Sequence, residues 1–412
     1  MKTYALACSI CSRPYEGDGA ERSCPQCGGQ LEPVLDLASR AAEAAAAVTD
    51  GCRSGVWDYR PLLPVEGLTS VVTLGEGRTP LIPSGRLARR LDVGELLLKD
   101  ETRNPSGTYK DRFATLALSI EASRGTAAVS LGSAGNAASA VAAYSAKAGI
   151  PCYVFLPPGA TAERALQVRS YGARLIQMGA TIDDCISAAL ACQERFGWKT
   201  MTTNMLTNPL PSEGYKTIAY ELARQMEFSV PDWIIVPVGG GALINKIAKG
   251  YAELQQLGLI SGTPRFAAVQ AAGCAPLVDA FRRGLKEPEV WPSVPQTVAF
   301  AIADVRTYDG VTTLHALSSS GGTAIAVPDD KILEAAHWIA ESEAILAEPA
   351  SAATVAALKL LREQELVGPS DRVVCILSGN GMRDLRLLGH RDTDPPRFAA
   401  GDLDGVARWA GM

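Results

Sequence analysis

The chain has 412 residues, 47% of them hydrophobic and 20% charged, with 39 Lys and Arg against 44 Asp and Glu for a formal net charge of −5. That length supports a large buried core and, as a prior, two to three domains. So slight an acidic excess argues against a chain built to grip a nucleic-acid backbone. No apolar run reaches the roughly 18 residues that a membrane span needs. The start, Met1-Lys2-Thr3-Tyr4, lacks the basic and apolar regions of an export signal, so a cytoplasmic protein without membrane partners is expected. Three histidines (His315, His337 and His390) are too few for a mechanism built on several imidazoles.

In chain order, the first feature is Cys8-Ser9-Ile10-Cys11, followed after twelve residues by Cys24-Pro25-Gln26-Cys27. Each Cys-x-x-Cys turn aims two thiolates at one point, and two such turns complete a tetrahedral shell with no open position for water. Residues 1–37 therefore read as a ribbon around a structural zinc ion; four unligated thiols or an iron site are the alternatives. Gly28-Gly29 lets the backbone fold around the sulfurs. Glu16, Asp18, Glu21, Glu32 and Asp36 surround the ribbon with negative charge, which disfavours nucleic acid. The scattered Cys52, Cys152, Cys185, Cys192, Cys274 and Cys375 read as small buried hydrophobes.

Residues 38–50 are an Ala-rich helical stretch, and Gly75-Glu76-Gly77-Arg78-Thr79-Pro80-Leu81 holds too many breakers for a helix or a central strand. From there, short apolar or β-branched runs alternate with longer helical patterns. The strands predicted are 95–99, 126–130, 151–156, 174–177, 199–203, 232–237, 265–270, 322–327 and 371–377. The helices predicted lie near 110–124, 136–148, 160–171, 180–196, 213–227, 242–257, 328–345 and 350–365. This alternation predicts an α/β protein of parallel sheets covered by helices, with ligands in the strand-to-helix loops. The last ~25 residues, with Pro395 and Pro396, read as a loosely attached tail.

Three of those loops carry chemistry. Gly239-Gly240-Gly241-Ala242-Leu243 follows an apolar strand and opens a helix, so its N–H groups can converge on an anion. It lacks the Lys-Ser/Thr of a nucleotide loop and the G-x-G-x-x-G spacing of a dinucleotide loop, so a cofactor with one phosphate suits it better; a plain tight turn is the bland alternative. Ser133-Ala134-Gly135-Asn136-Ala137 also opens a helix and suits a carboxylate, although Ser and Asn are common caps. In Asn104-Pro105-Ser106-Gly107-Thr108-Tyr109-Lys110-Asp111-Arg112, Lys110 starts a helix whose dipole would help lower its pKa, as a Schiff-base lysine requires. Taken alone, Lys110 reads more readily as a solvated lysine.

Together these loops resemble the fold-type-II pyridoxal-phosphate enzymes (the tryptophan-synthase β-like group), and within it the threonine synthases. Further landmarks are Glu76–Leu81, Glu213-Gly214-Tyr215-Lys216-Thr217, Glu348-Pro349-Ala350-Ser351-Ala352 and Ser378-Gly379-Asn380-Gly381. The resemblance spans about residues 75–385. It implies two doubly wound sheets with the cofactor between the domains: a large domain of 38–100 and 213–390, a smaller one of 101–212, and a tail over 391–412. It also implies that Lys110 carries pyridoxal 5'-phosphate and acts as the general base, and that Gly239, Gly240, Gly241 and Ala242 cradle the phosphate. Asn136 would bond the ring hydroxyl, Ser378 would face the pyridine nitrogen, and Ser133, Ala134, Gly135, Asn136 and Ala137 would hold the α-carboxylate of a small amino-acid substrate. A serine facing the nitrogen leaves the ring a weaker electron sink, favouring elimination or replacement over transamination. A homodimer is also implied.

The substrate is less determined. Bacterial threonine synthases often carry Gly-Asn-Ala-Gly-Asn where this chain has Gly239–Leu243, Thr where it has Ala137, and an Arg where Leu210-Pro211-Ser212 stands. Each change removes a polar group that would serve O-phosphohomoserine, and a buried dianion without paired cations is costly. Lys216, Arg112 or Arg306 could compensate, although Arg112 could equally be a structural ion-pair partner. The expected function is conversion of O-phospho-L-homoserine and water to threonine and phosphate. The alternatives are a serine/threonine ammonia-lyase or a β-replacement synthase acting on a serine derivative such as O-phosphoserine, and a non-catalytic regulatory homologue.

Overall fold

The computed structural model describes residues 4–15, 23–50, 54–133, 135–158, 162–388, 397–400 and 402–411. Glu16, Asp18, Glu21, Cys52, Ala134, His390 and residues 391–396 of the expected tail lie outside them. The strands are β1 (Tyr4–Cys8), β2 (Pro14–Tyr15), β3 (Leu31–Leu35), β4 (Leu81–Pro83), β5 (Glu95–Asp100), β6 (Val129–Gly132), β7 (Cys152–Leu156), β8 (Arg174–Gln177), β9 (Lys199–Thr200), β10 (Trp233–Pro237), β11 (Arg265–Ala271), β12 (Thr323–Val327) and β13 (Arg372–Leu377). They form three sheets: an antiparallel β2-β1-β3, a six-stranded β12-β11-β10-β13-β5-β4, and a four-stranded β8-β7-β6-β9. The four-stranded sheet is all parallel; in the six-stranded one only β4 runs antiparallel, against β5. This α/β architecture is the one the alternating sequence pattern predicts.

The central strands β10, β11 and β13 of the large sheet are buried on both faces, as continuous apolar runs require, whereas the edge strand β4 has no buried residue. Along β10, Ile234 and Val236 face one cluster, which also holds Val129 and Val154 of the small sheet. Trp233 and Ile235 face the other, packed by Ile332 and Ile339 of helix Asp329–Glu343 and by helix Pro349–Glu363. The period-2 alternation of the strand thus joins the small sheet to one side of the large sheet and helices to the other.

Some boundaries move for local reasons. Gly125 closes helix Asp111–Arg124 at φ 69°, and the Thr126 N–H turns back to Glu121 O at 3.1 Å, so β6 begins at Val129 rather than 126. β9 is cut to two residues because the Asn208 side chain takes the Thr200 and Thr202 carbonyls that a longer ladder would use. Cys152, Cys185, Cys274 and Cys375 are buried as expected, while Cys192 is only half-buried. Near the C-terminus, Leu403–Ala410 is a helix whose one buried residue is Gly405. No helix among the described residues is long and apolar enough to cross a membrane.

Candidate active site

A cavity of about 460 Å³ lies where loops leave the carboxyl ends of β6, β7, β9, β10 and β13, a size suited to a cofactor with a small substrate. It is lined by Lys110, Ser133, Gly135, Asn136, Ala137, Gly239, Gly240, Gly241, Ala242 and Ser378. The described candidate residues of all three loops thus meet in one place; Ala134 alone among them is not described.

Lys110 immediately precedes helix Asp111–Arg124, and its loop is clamped to the loop after β13. The Tyr109 N–H donates to Ser378 O at 3.0 Å and the Asn380 N–H donates to Gly107 O at 2.9 Å. The Lys110 Nζ donates to Thr203 Oγ1 at 2.8 Å and stands 4.8 Å from the Tyr109 ring centroid. The expectation of a depressed pKa does not hold for this free amine. Burial pulls it down, but Tyr109, Tyr215 and Asp304 more than offset that, leaving it above the ordinary lysine value. The helix dipole acts on a terminus, whereas these groups sit around the ammonium itself.

The glycine turn is built for close approach. A Cβ at Gly239 would lie 2.5 Å from Asp304 Oδ2, and one at Gly241 would lie 2.6 Å from Thr313 Oγ1, with φ already at 104°. Helix Ala242–Gln256 begins there, so its unpaired first N–H groups add to the turn. At the carboxylate loop the Ser133 N–H is spent on Phe155 O at 3.0 Å and the Gly135 N–H reaches Ser133 Oγ at 3.3 Å. Asn136 and Ala137 stand in the first turn of helix Asn136–Ala148, where intrahelical partners for N–H groups are missing. The Asn136 Nδ2 donates to both Glu348 carboxylate oxygens at 2.9 Å, and Arg383 donates to its Oδ1. Both ends of that amide are therefore engaged, and reaching a ring oxygen requires a change of partner. The Ser378 hydroxyl lies 3.3 Å from Glu348 Oε1 and 3.2 Å from Ser351 Oγ.

Several site residues carry no recognisable signal in the sequence. Glu348 opens a landmark but suggests no role there; Thr203, Asp304 and Tyr308 lie in loops without a motif. Asp304 lines the cavity, and burial pushes its carboxyl up to about 6 against the pull of Lys110. Tyr308 donates to Asp183 Oδ1 at 2.7 Å, linking a lining residue to helix Ile182–Phe196. Among the described lining residues, Lys110 is the one cation, against Asp304 and Glu348.

The cations considered for a substrate phosphate stand elsewhere. Arg112 is fully buried and pairs with Glu101 and Glu221, each at 2.7 Å; Lys99 also reaches Glu221 at 2.7 Å. Lys216 is equally buried between Glu213 and Glu253, at 2.8 Å from each. Arg306 is exposed and does not line the cavity. Landmark Glu213–Thr217 is thus explained by packing: Glu213 also binds Lys246 and Lys249, and a Cβ at Gly214 would fall 1.9 Å from Arg112 O.

At the N-terminus, the sulfurs of Cys8, Cys11, Cys24 and Cys27 all lie within 4.8 Å of one another. Cys8 and Cys27 approach to 3.4 Å, and Cys11 and Cys24 to 3.8 Å. Gly28 takes φ 73°, and a Cβ at Gly29 would sit 2.7 Å from Cys8 Sγ, so both glycines are needed where the backbone rounds the sulfurs.

Residues 72–379 match the family model described as pyridoxal-phosphate dependent enzyme. Over 92% of both chains the protein is 36% identical to the threonine synthase of Methanocaldococcus jannaschii. It is 38% identical to that of Methanosarcina acetivorans, again over 92% of both chains. Among solved structures, the processed form of threonine deaminase isoform 2 from Solanum lycopersicum superposes with a TM-score of 0.63 at 21% identity, covering 90% of this chain and 89% of that one. That last likeness is one of fold.

Proposed function

The chain belongs to the pyridoxal-phosphate dependent enzyme family, and from that premise we propose how its residues perform amino-acid elimination and replacement. It is a lyase of the threonine-synthase-like kind. The observation that carries the residue assignment is the meeting of Lys110, the three-glycine turn and Ser378 on one cavity. Pyridoxal 5'-phosphate, when bound, supplies the electron sink that makes the α-proton of an amino acid removable. The crowded turn at Gly239–Ala242 suits its phosphate, Ser378 its pyridine nitrogen, Asn136 its ring hydroxyl and the Lys110 amine its aldehyde carbon. Asn136, Ala137 and the Ser133 hydroxyl, with Gly135 alongside, take the substrate α-carboxylate. Lys110, released from the aldehyde carbon when the substrate amine takes its place and held by Thr203, would carry the α-proton as general base.

The first reading is O-phospho-L-homoserine plus water to threonine plus phosphate, supported by the kinship with proteins named threonine synthase. A second, β-elimination or β-replacement on serine, threonine or a serine derivative, is favoured by a described cavity lining that offers one cation against two carboxylates. A substrate panel decides. Phosphate and threonine from O-phosphohomoserine support the first; ammonia and a 2-oxoacid from serine or threonine, or a replaced serine side chain, support the second. Wild-type protein that takes up no cofactor on reconstitution, or Lys110→Ala that still forms a borohydride-stable adduct with it, overturns the residue assignment.

The same reading includes a division of the chain. Residues 38–100 and 213–390 would form the larger domain and 101–212 the smaller, with the cofactor between them and 391–412 as a tail. Residues 1–37 would form a ribbon around a structural zinc. Its support is the sulfur spacing, because four bonds of ~2.3 Å place tetrahedral sulfurs roughly 3.8 Å apart. A cytoplasmic homodimer completes the proposal, tested by light scattering of the holoenzyme.

A further inference from the structure

The N-terminal sheet contributes a buried side chain to the frame of the cavity. Gln30, 3% exposed, directly precedes β3, and its amide reaches across to residues 308–312. Its Nε2 donates to Tyr308 O and to Asp309 Oδ1, both at 2.8 Å, while its Oε1 accepts from Thr312 Oγ1 at 2.7 Å. Ser9 Oγ lies 2.9 Å from the same threonine oxygen.

Asp309 is fully buried and ties together the two loops on which the site depends. Its N–H donates to Gly240 O at 2.7 Å, in the middle of the glycine turn. A Cβ at Gly241 would approach Asp309 Cβ to 3.1 Å, so turn and aspartate are in direct contact. Its carboxylate accepts the Met205 and Leu206 N–H groups at 3.1 to 3.3 Å, fixing the segment just after Thr203, the residue that holds Lys110. Gln30 adds the side-chain donor to that carboxylate and, through Tyr308 O, restrains a lining residue as well.

We propose that Gln30 is a positioning residue for the cofactor site: by fixing Asp309 it sets the glycine turn at Gly240 and the 203–206 loop against Lys110, so that the N-terminal segment forms part of the cofactor-binding apparatus. The proposal rests on the assignment of pyridoxal 5'-phosphate to this cavity. The physical cause is that a buried carboxylate missing a donor seeks another, and the nearest adjustable groups belong to those two loops.

The test is titration of full-length apoprotein with pyridoxal 5'-phosphate, following the visible absorption of the lysine-bound cofactor, for wild type, Gln30→Met, Gln30→Glu and Ser9→Ala. Gln30→Met keeps length and apolar volume but removes both polar ends. Gln30→Glu keeps the acceptor for Thr312 and sets a second carboxylate against Asp309. Ser9→Ala removes an N-terminal contact that does not touch Asp309. The expected result is a roughly ten-fold rise in cofactor Kd for Gln30→Met, at least as large for Gln30→Glu, and less than two-fold for Ser9→Ala. Both glutamine variants should melt below Ser9→Ala because they leave buried polar groups unpaired, so Kd is measured on folded apoprotein well below the lowest melting temperature of the set. Should one glutamine variant fail to fold, the other carries the comparison with Ser9→Ala. Equal Kd values in wild type and the glutamine variants overturn the proposal, as does an equal loss in Ser9→Ala, which would mark a general docking effect. Wild-type protein that binds no cofactor refutes instead the assignment on which the proposal stands.

Discussion

Gly241→Ala isolates the demand that the glycine turn places on its residues. Gly241 sits at φ 104°, ψ −18°, outside the regions open to an L side chain, so a methyl there costs ~1–2 kcal/mol in backbone strain. The added Cβ would also meet Thr313 Oγ1 at 2.6 Å, and that hydroxyl cannot swing away freely because it donates to Asp309 O at 2.9 Å. Overpacking of this kind costs ~1–3 kcal/mol, so the apoprotein should lose about 2–5 kcal/mol. Because the strain falls on the N–H groups assigned to the phosphate, cofactor Kd should rise at least ten-fold. Denaturant unfolding of apoprotein and a cofactor titration read the two effects separately. The double variant Gly241→Ala/Thr313→Ala should recover the steric part of the stability and little of the affinity. A single variant within ~0.5 kcal/mol of wild type, with unchanged cofactor affinity, would refute the reasoning.

Arg112→Met should cost ~3–5 kcal/mol, because Glu101 and part of Glu221 are left buried without their cation; substrate KM of the folded fraction should stay within two-fold, and a selective KM effect would return Arg112 to the substrate. Asp304, raised from 3.8 to about 6 by burial, stabilises the fold fully below its unfolded value and loses that contribution as pH rises through about 6. Asp304→Asn should therefore flatten the fall of apoprotein stability between pH 4 and 7, and identical pH profiles would contradict this; Asp111 and Asp309, both raised to about 7, keep a residual slope. Cys24→Ser should abolish binding of about one zinc per chain and lower the melting temperature, while kcat at saturating cofactor changes less; loss of turnover at unchanged stability would oppose a structural role.

What the sequence discloses is the part of the molecule that is local in the chain. Alternating runs predict β5 to β13 because short apolar or β-branched stretches and longer helical patterns differ in period and length, and the Gly239–Gly241 turn is visible because three glycines between a strand and a helix serve few other ends. Lys110 and Ser378 are legible only through the family landmarks; nothing adjacent to either shows that Tyr109 N–H donates to Ser378 O. Glu348, Asp304 and Thr203 stay hidden for the same reason, since each acts on a group from a distant element. The ion-pair networks show how such reading misleads. Arg112 and Lys216 look like candidates for a substrate anion because they flank the lysine loop and the Glu-Gly-Tyr-Lys-Thr run, yet both are consumed by buried glutamates. The Lys110 pKa fails similarly, because a dipole inferred from a helix start is outweighed by side chains that pack around the amine.

Charge within the cavity separates the two substrate readings more sharply than shape does. Lys110 is the one cation on the described lining, and under the proposed assignment the aldehyde of the cofactor would claim it; Asp304 and Glu348 line the same cavity. Two unit charges of like sign roughly 5 Å apart repel by about 3 kcal/mol at an effective dielectric of 20. A side-chain phosphate brought beside an ionised Asp304 would thus bind about a hundred-fold more weakly than an uncharged group of similar size. Asp304→Asn removes that repulsion and leaves the size of the cavity nearly unchanged. If a phosphorylated amino acid is the substrate, the variant should raise its kcat/KM at pH 8, where the wild-type carboxyl is ionised, and have little effect at pH 5. For serine or threonine the ratio of variant to wild type should not depend on pH in this way. Equal ratios for charged and uncharged substrates at both pH values would remove Asp304 from any part in selecting the side chain.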